Sequence, residues 1–138
     1  MNAVYEKVEV CYKQIRATVD FLPKVAIVLG SGLGALADVI QVAGTVNYSD
    51  ITGFPVSTVN GHKGRFVFGY IQEMPVVIMQ GRVHFYEGYE ISDVVLPIRV
   101  MRKLGADILF LTNSAGGLNT MYRPGDFMMI TDHIGSFM

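Results

Sequence analysis

The stretch KVAIVLGSGLGALAD, residues 24–38, decides the fold. Val25, Ala26, Ile27, Val28 and Leu29 form an unbroken apolar run, as expected of a strand buried on both faces. It runs straight into Gly30-Ser31-Gly32-Leu33-Gly34. Gly30 and Gly32 let backbone N–H groups approach an anion closely, and Ser31 adds a hydroxyl donor. A short helix expected over residues 33–41 would aim its positive end at the same place. No Lys-Ser/Thr pair follows the glycines, so this is not the triphosphate P-loop. Gly30-x-Gly32-x-x-Ala35, with Asp50 twenty residues past Gly30, fits a dinucleotide fingerprint. Against that, the intervening VIQVAGTVNYSD is a poor second strand, interrupted by Gly44 and Asn47. On the turn alone three readings stand: a plain strand-to-helix turn, a dinucleotide site, or a site for another phosphate.

Working outward, Val4, Val8, Cys11, Ile15 and Val19 repeat at helical spacing and predict an amphipathic helix from residue 4 to about 19, stopped before Pro23. TVNYSDI and FPVSTV read as short, extended and irregular. GRFVFGYI and MPVVIMQ flank Gln72-Glu73 and predict a β-hairpin. GRVHFYEGYEIS is a polar and aromatic loop. SDVVLPIRVMRKLG carries a helix with Arg102 and Lys103 in its last turn and Gly105 as its stop; Pro97 requires that it start near Leu96 or kink there. ADILFLTN and DFMMITDHI are expected as a second and a third buried strand. Apolar strands separated by helices predict an α/β fold, a mixed central sheet flanked by helices on both faces, in one domain spanning residues 1–138.

The bulk properties set limits. The chain has 138 residues, 17% charged and 51% hydrophobic, with mean hydropathy +0.37; ordinary soluble domains carry about 25% charge. The excess predicts surface buried in an oligomer or against protein outside this sequence. Net charge is −1, which gives no electrostatic footprint for nucleic acid. Cys11 is the one cysteine, so neither an internal disulfide nor a thiolate metal cluster is expected. The N-terminus lacks the apolar run of a signal peptide, and no apolar stretch is long enough to span a membrane. A soluble, reducing, cytoplasmic setting is the expectation. The sequence stops at Phe137-Met138 directly after an expected strand, which reads as a fold interrupted partway.

Three strand ends finish in turns able to hold an anion. Besides Gly30–Gly34, Arg82 and His84 follow the strand that ends at Gln80. If extended geometry persists they leave on one face, with Tyr86 continuing the alternation. Arginine offers a planar fork suited to phosphate and histidine adds a donor; the plain alternative is a surface arginine paired with Glu87 or Glu90. In TNSAGGLN, Ser114–Gly117 present backbone N–H groups at a strand's carboxyl end, where open α/β sheets bind ligands; alternatively Asn113 and Asn119 bond their own backbone. His62 reads as a loop histidine and His133 as a structural one. No metal-ligand spacing emerges, and there is no Gly-x-Ser-x-Gly elbow or positioned base for a serine nucleophile. In a mixed sheet the three ends can gather into one pocket for a single free phosphate.

VLGSGLG, NGHKG, MQGRVHFYEGY, TNSAGGLN and GDFMMITDHI together resemble the trimeric purine nucleoside phosphorylase family, in its order and at about its spacing, over essentially the whole chain. TNSAGG and the serine of GSG are more like the purine nucleoside enzymes than the related methylthioadenosine phosphorylases. The resemblance implies phosphorolysis of inosine- or guanosine-type nucleosides to free base and pentose 1-phosphate. It implies no cofactor or metal, inorganic phosphate being a co-substrate, and a homotrimer. It implies that Ser31, His62, Arg82, His84 and the amide of Ser114 hold phosphate, that His84 is catalytic, and that Tyr86 and Asn113 shape the ribose site. The family's chain is about twice as long, and its base-reading residues lie in the second half. The expectation is therefore a phosphate-binding half-site. The alternatives carried are a dinucleotide-binding oxidoreductase domain and a catalytically silent half that keeps only fold and oligomer surfaces.

Overall fold

The computed structural model describes residues 3–57 and 63–135. Its first element, α1 (Ala3–Thr18), presses Val8, Cys11 and Ile15 inward, the middle of the predicted apolar stripe. Strand β1 (Val25–Val28) follows, then one helical turn, α2 (Leu36–Val39). Next come β2 (Gln41–Asn47), a 3-10 turn at Tyr48–Asp50, and the hairpin β3 (Arg65–Ile71) and β4 (Met74–Gln80). A 3-10 turn at Phe85–Glu87 leads to α3 (Ile91–Val94), α4 (Leu96–Lys103) and β5 (Ile108–Leu111).

The five strands form one mixed sheet in the order β2-β3-β4-β1-β5. β1 is parallel to both β4 and β5, while β2-β3 and β3-β4 are antiparallel. The hairpin forms as predicted, with Gln72 in the left-handed region at φ 55°. The alternation of each strand divides the core. Ala26, Val28, Phe66, Phe68, Val77 and Met79 face α1 and α4, whereas Ile27, Leu29, Val67, Val76 and Ile78 face α2 and its single buried Ala37. Leu96, Val100 and Met101 of α4 and Leu104, which caps it, are essentially fully buried, each stabilising by roughly 1.5–3 kcal/mol. Tyr48, Phe54 and Phe66 form an aromatic triangle with centroids 4.9–5.4 Å apart. The expected chain break falls at Val95: Pro97 sits in the first turn of α4, where its missing N–H costs nothing.

Three expectations are corrected. Residues 33–41 give only the four-residue α2, because the chain enters β2 at Gln41. The irregular TVNYSDI is in part strand: β2 pairs with β3 through a shift between Val42 and Gly44. That irregularity fits because Gly69 faces it; a Cβ there would lie 2.3 Å from Gln41 O. Finally, β5 is a strand but not a buried one, and DFMMITDHI forms no strand among the described residues. Ile108, Leu109, Phe110 and Leu111 are 42–64% exposed. β5 lies at the sheet's outer position with only β1 beside it, so the predicted layer over it and a further strand are missing from the described residues.

Candidate functional site

The parallel strands β4, β1 and β5 deliver their carboxyl ends to one edge of the sheet. Thr112 ties two of them. Its N–H and Oγ1 both donate to Val28 O (3.1 and 2.8 Å), and Oγ1 accepts from the amide of Gly30 (2.8 Å). The approach is close enough to dictate the residue: a Cβ on Gly30 would lie 2.7 Å from both Thr112 O and Asn113 Cα. Arg82 ties in the third end, since its Nη1 donates to Thr112 O at 3.0 Å. One of five guanidinium donors is spent there, and the fork is held across the end of β1.

Around this tie the glycine turn closes through Leu33 N donating to Gly30 O (3.2 Å), with Gly32 at φ +85°. Ser31 is exposed at its tip. The four-residue α2 starts at Leu36, past the turn, and supplies no macrodipole worth invoking. From below, buried Tyr48 donates its hydroxyl to Gly81 O at 2.9 Å, fixing the exit of β4. Burial holds the Tyr48 phenol well above its ordinary pKa, so it remains a donor.

His84 opens the 3-10 turn. Its amide donates to Glu87 Oε1 (2.7 Å), its Nδ1 lies 3.1 Å from the same oxygen, and Glu87 Oε2 accepts from Ser57 Oγ (3.0 Å). The Glu87 side chain is only 4% exposed. The His84 ring stacks on Tyr86 with centroids 4.8 Å apart. Glu87 thus orients His84, and the plain alternative of an Arg82–Glu87 pair is not what forms. The strand alternation expected to align Arg82, His84 and Tyr86 ends at Gln80; a turn and a ring stack bring His84 and Tyr86 together instead. Asn113 Nδ2 donates to Ser114 O (3.2 Å) and Asn119 Oδ1 accepts from Met121 N (3.0 Å), so both asparagines do bond local backbone. Ser114 is exposed beside the tie. His62 lies outside the described residues. His133 is exposed, not structural.

The dinucleotide alternative fails on topology. It needs a parallel neighbour to β1 ending in an acid, but two strands, β3 and β4, separate β2 from β1, and β2 is antiparallel to β3. Asp50 accepts from Asn47 Nδ2 (2.9 Å) and Ser49 Oγ (3.3 Å). Among the described residues no group of His, Cys, Asp and Glu could hold a metal, and no helix is long and apolar enough to cross a membrane. A pocket of about 820 Å³ is formed by residues between 113 and 130; Asn113 and the Ala115–Gly117 turn line it, whereas Ser31, Arg82, His84 and Tyr86 do not.

Residues 24–138 match the family model of the phosphorylase superfamily. The chain belongs to that superfamily. It is 53% identical over 114 residues to purine nucleoside phosphorylase 1 of Geobacillus stearothermophilus, covering 83% of this chain and 42% of that protein. It superposes on a purine nucleoside phosphorylase in complex with ribose-1-phosphate with a TM-score of 0.81, at 45% identity, over 88% of this chain and 44% of that one. The Schistosoma mansoni enzyme in complex with inosine gives 0.80 at 43%, over 88% and 42%. The chain thus spans under half the length of these relatives. Sequence reasoning missed Thr112, Tyr48 and Gln80, the residues that hold this sheet edge together. Only Gln80, a polar residue closing the apolar run MPVVIM, gave any signal.

Proposed function

We propose that this chain carries the phosphate-binding part of a purine nucleoside phosphorylase. Ser31, His62, Arg82, His84 and the amide of Ser114 bind inorganic phosphate, and Tyr86 and Asn113 border the ribose. A phosphate oxygen forms the bond to the anomeric carbon while the glycosidic C–N bond breaks; its electron pair leaves on the purine, which takes up a proton. The phosphate is itself the nucleophile, so no cofactor or metal is invoked. An anion fixed beneath the sugar stabilises the cationic character that develops there, and holding both reactants removes much of the entropic barrier. His84 serves as the catalytic donor to phosphate, oriented by Glu87. The described region acts as one domain, N-terminal in the phosphorylase fold, and works in a cytoplasmic homotrimer.

One observation carries the reading: Thr112 and Arg82 lock three strand ends into one edge able to surround a single anion. The test is hypoxanthine release from inosine, with and without phosphate. Phosphate-dependent release supports the reading; phosphate-independent release refutes it. A second reading, phosphate binding without turnover, is favoured by the exposure of β5 and of residues 113–135. Phosphate binding in a sample that releases no base would point to it.

A further inference from the structure

Among the described residues Gln80 is the amide or charged residue most buried as a whole, 3% exposed. It is the last residue of β4 and the cross-strand partner of Arg65 in β3. Arg65 Nε donates to its Oε1 at 2.8 Å. That contact fixes which way the amide faces, because the reverse orientation would set an NH₂ against a guanidinium. Its Nε2 must then point at the glycine turn, where it donates to Gly34 O at 2.7 Å. Around this amide runs a charged ring. Asp38 of α2 accepts from Lys63 Nζ (2.8 and 3.0 Å) and lies 3.4 Å from Arg65 Nη2. Lys63, the hydrogen bond from Gln80 and Arg65 together hold the Asp38 carboxyl below its ordinary pKa.

We propose that Gln80 is a positioning residue: its amide sets the glycine turn that presents Ser31 and, through Arg65 and Asp38, holds that turn in register with β3. The inference rests on the reading above that phosphate is the turn's ligand. Gly34 closes the turn whose first amide is pinned by Thr112. The turn is therefore held at both ends by residues distant in sequence, and α2, a single turn, cannot stiffen it alone. Without the Gln80 donor the Gly34 carbonyl keeps only the longer bond from the Ala37 amide (3.3 Å), which lies within the same local turn, and Ser31 loses the long-range contact that fixes its height at the sheet edge.

The test compares the chain with Q80M, which matches the side chain in length and removes both polar ends, and with Q80E, which keeps an acceptor for Arg65 but offers Gly34 no donor. Inorganic phosphate is titrated while the amide resonances of residues 30–34 are followed, and inosine cleavage is measured on the same samples. Both variants should weaken phosphate binding by about ten-fold, the scale of one misplaced hydrogen bond. Where cleavage is seen, the apparent KM for phosphate should rise while the KM for inosine stays within about two-fold. Loss of kcat with both KM values unchanged would mean a merely structural role and overturn the proposal. So would unaltered phosphate affinity in Q80E, the variant that keeps the Arg65 contact should Q80M fail to fold. If phosphate shifts the turn amides and the variants weaken it while no inosine is cleaved, the positioning role stands and the phosphorylase reading falls. If phosphate leaves the turn amides unmoved in the unaltered chain, both fall.

Discussion

Gly30→Ala tests the tie between β1 and β5 directly. Gly30 does not occupy the left-handed region, so alanine's backbone preferences are not at issue. What matters is the 2.7 Å approach of a new Cβ to Thr112 O and Asn113 Cα, with Asn113 N at 3.0 Å. All three are backbone atoms and cannot rotate away. Relief requires moving the end of β5, at an overpacking cost of about 1–3 kcal/mol. The shift also strains the Gly30 N to Thr112 Oγ1 bond, worth about 1 kcal/mol. Reduced freedom of the unfolded chain returns about 0.4–1 kcal/mol. The net expectation is a loss of about 1–3.5 kcal/mol.

Gly34→Ala is the control four residues along the same turn. There a Cβ meets only Gln80 Nε2, at 4.0 Å, and φ is not positive. That variant should lie within about 0.5 kcal/mol of the unaltered chain. Urea denaturation followed by far-ultraviolet circular dichroism measures both. Equal stability of the two variants would show that the β1–β5 approach does not constrain the turn, and the account of the site edge would be wrong.

Other consequences follow from the same geometry. Tyr48→Phe leaves Gly81 O without its donor and should cost about 1–2 kcal/mol in urea unfolding; a neutral result would mean water replaces the hydroxyl at no cost. Arg82→Met removes both the Thr112 O contact and the guanidinium fork, and should lower kcat/KM for phosphate by about 10–100-fold. In the surface pair of Glu9 and Lys103, hydrogen bonding lowers the Glu9 pKa below 4.5 and raises that of Lys103 above 10.5. The carboxylate's contribution is present above 4.5 and lost as pH falls through its lowered value. The ammonium's is present below 10.5 and lost as pH rises through its raised one. Lys103→Met should therefore reduce Tm at pH 7 and converge with the unaltered chain at the acid and alkaline extremes.

What could be read from the sequence was what local pattern determines. The run Val25–Leu29, the stripe of α1 and the hairpin around Gln72-Glu73 each declare themselves within a few residues, because burial on one or two faces leaves a period in the chain. β2 escaped notice because its irregular pairing is accommodated by Gly69, 25 or more residues away, and nothing in TVNYSDI announces that partner. β5 was legible as a strand but not as an exposed one. Apolar composition records what a segment requires around it, and ILFL among the described residues has only β1 beside it. Ser31, Arg82 and His84 were visible as candidates because their chemistry is conspicuous, whereas Thr112 and Gln80 are ordinary residues whose role comes from where they lie.

That distinction has a physical basis. Presenting donors to an anion costs little only if they are already fixed when it arrives, since any freedom left in them is lost on binding. In this chain the fixing bonds join residues far apart in sequence: Gly30 with Thr112 across 82 positions, Gln80 with Gly34 across 46, Tyr48 with Gly81 across 33, Arg82 with Thr112 across 30. None of them exists until the parallel trio β4-β1-β5 and the hairpin have paired. The turn sequence GSGLG is permissive in itself and becomes specific only when clamped from both sides. An isolated peptide spanning residues 24–38 should therefore show no ordered turn and no measurable phosphate affinity, and ordered amides in such a peptide would contradict this account.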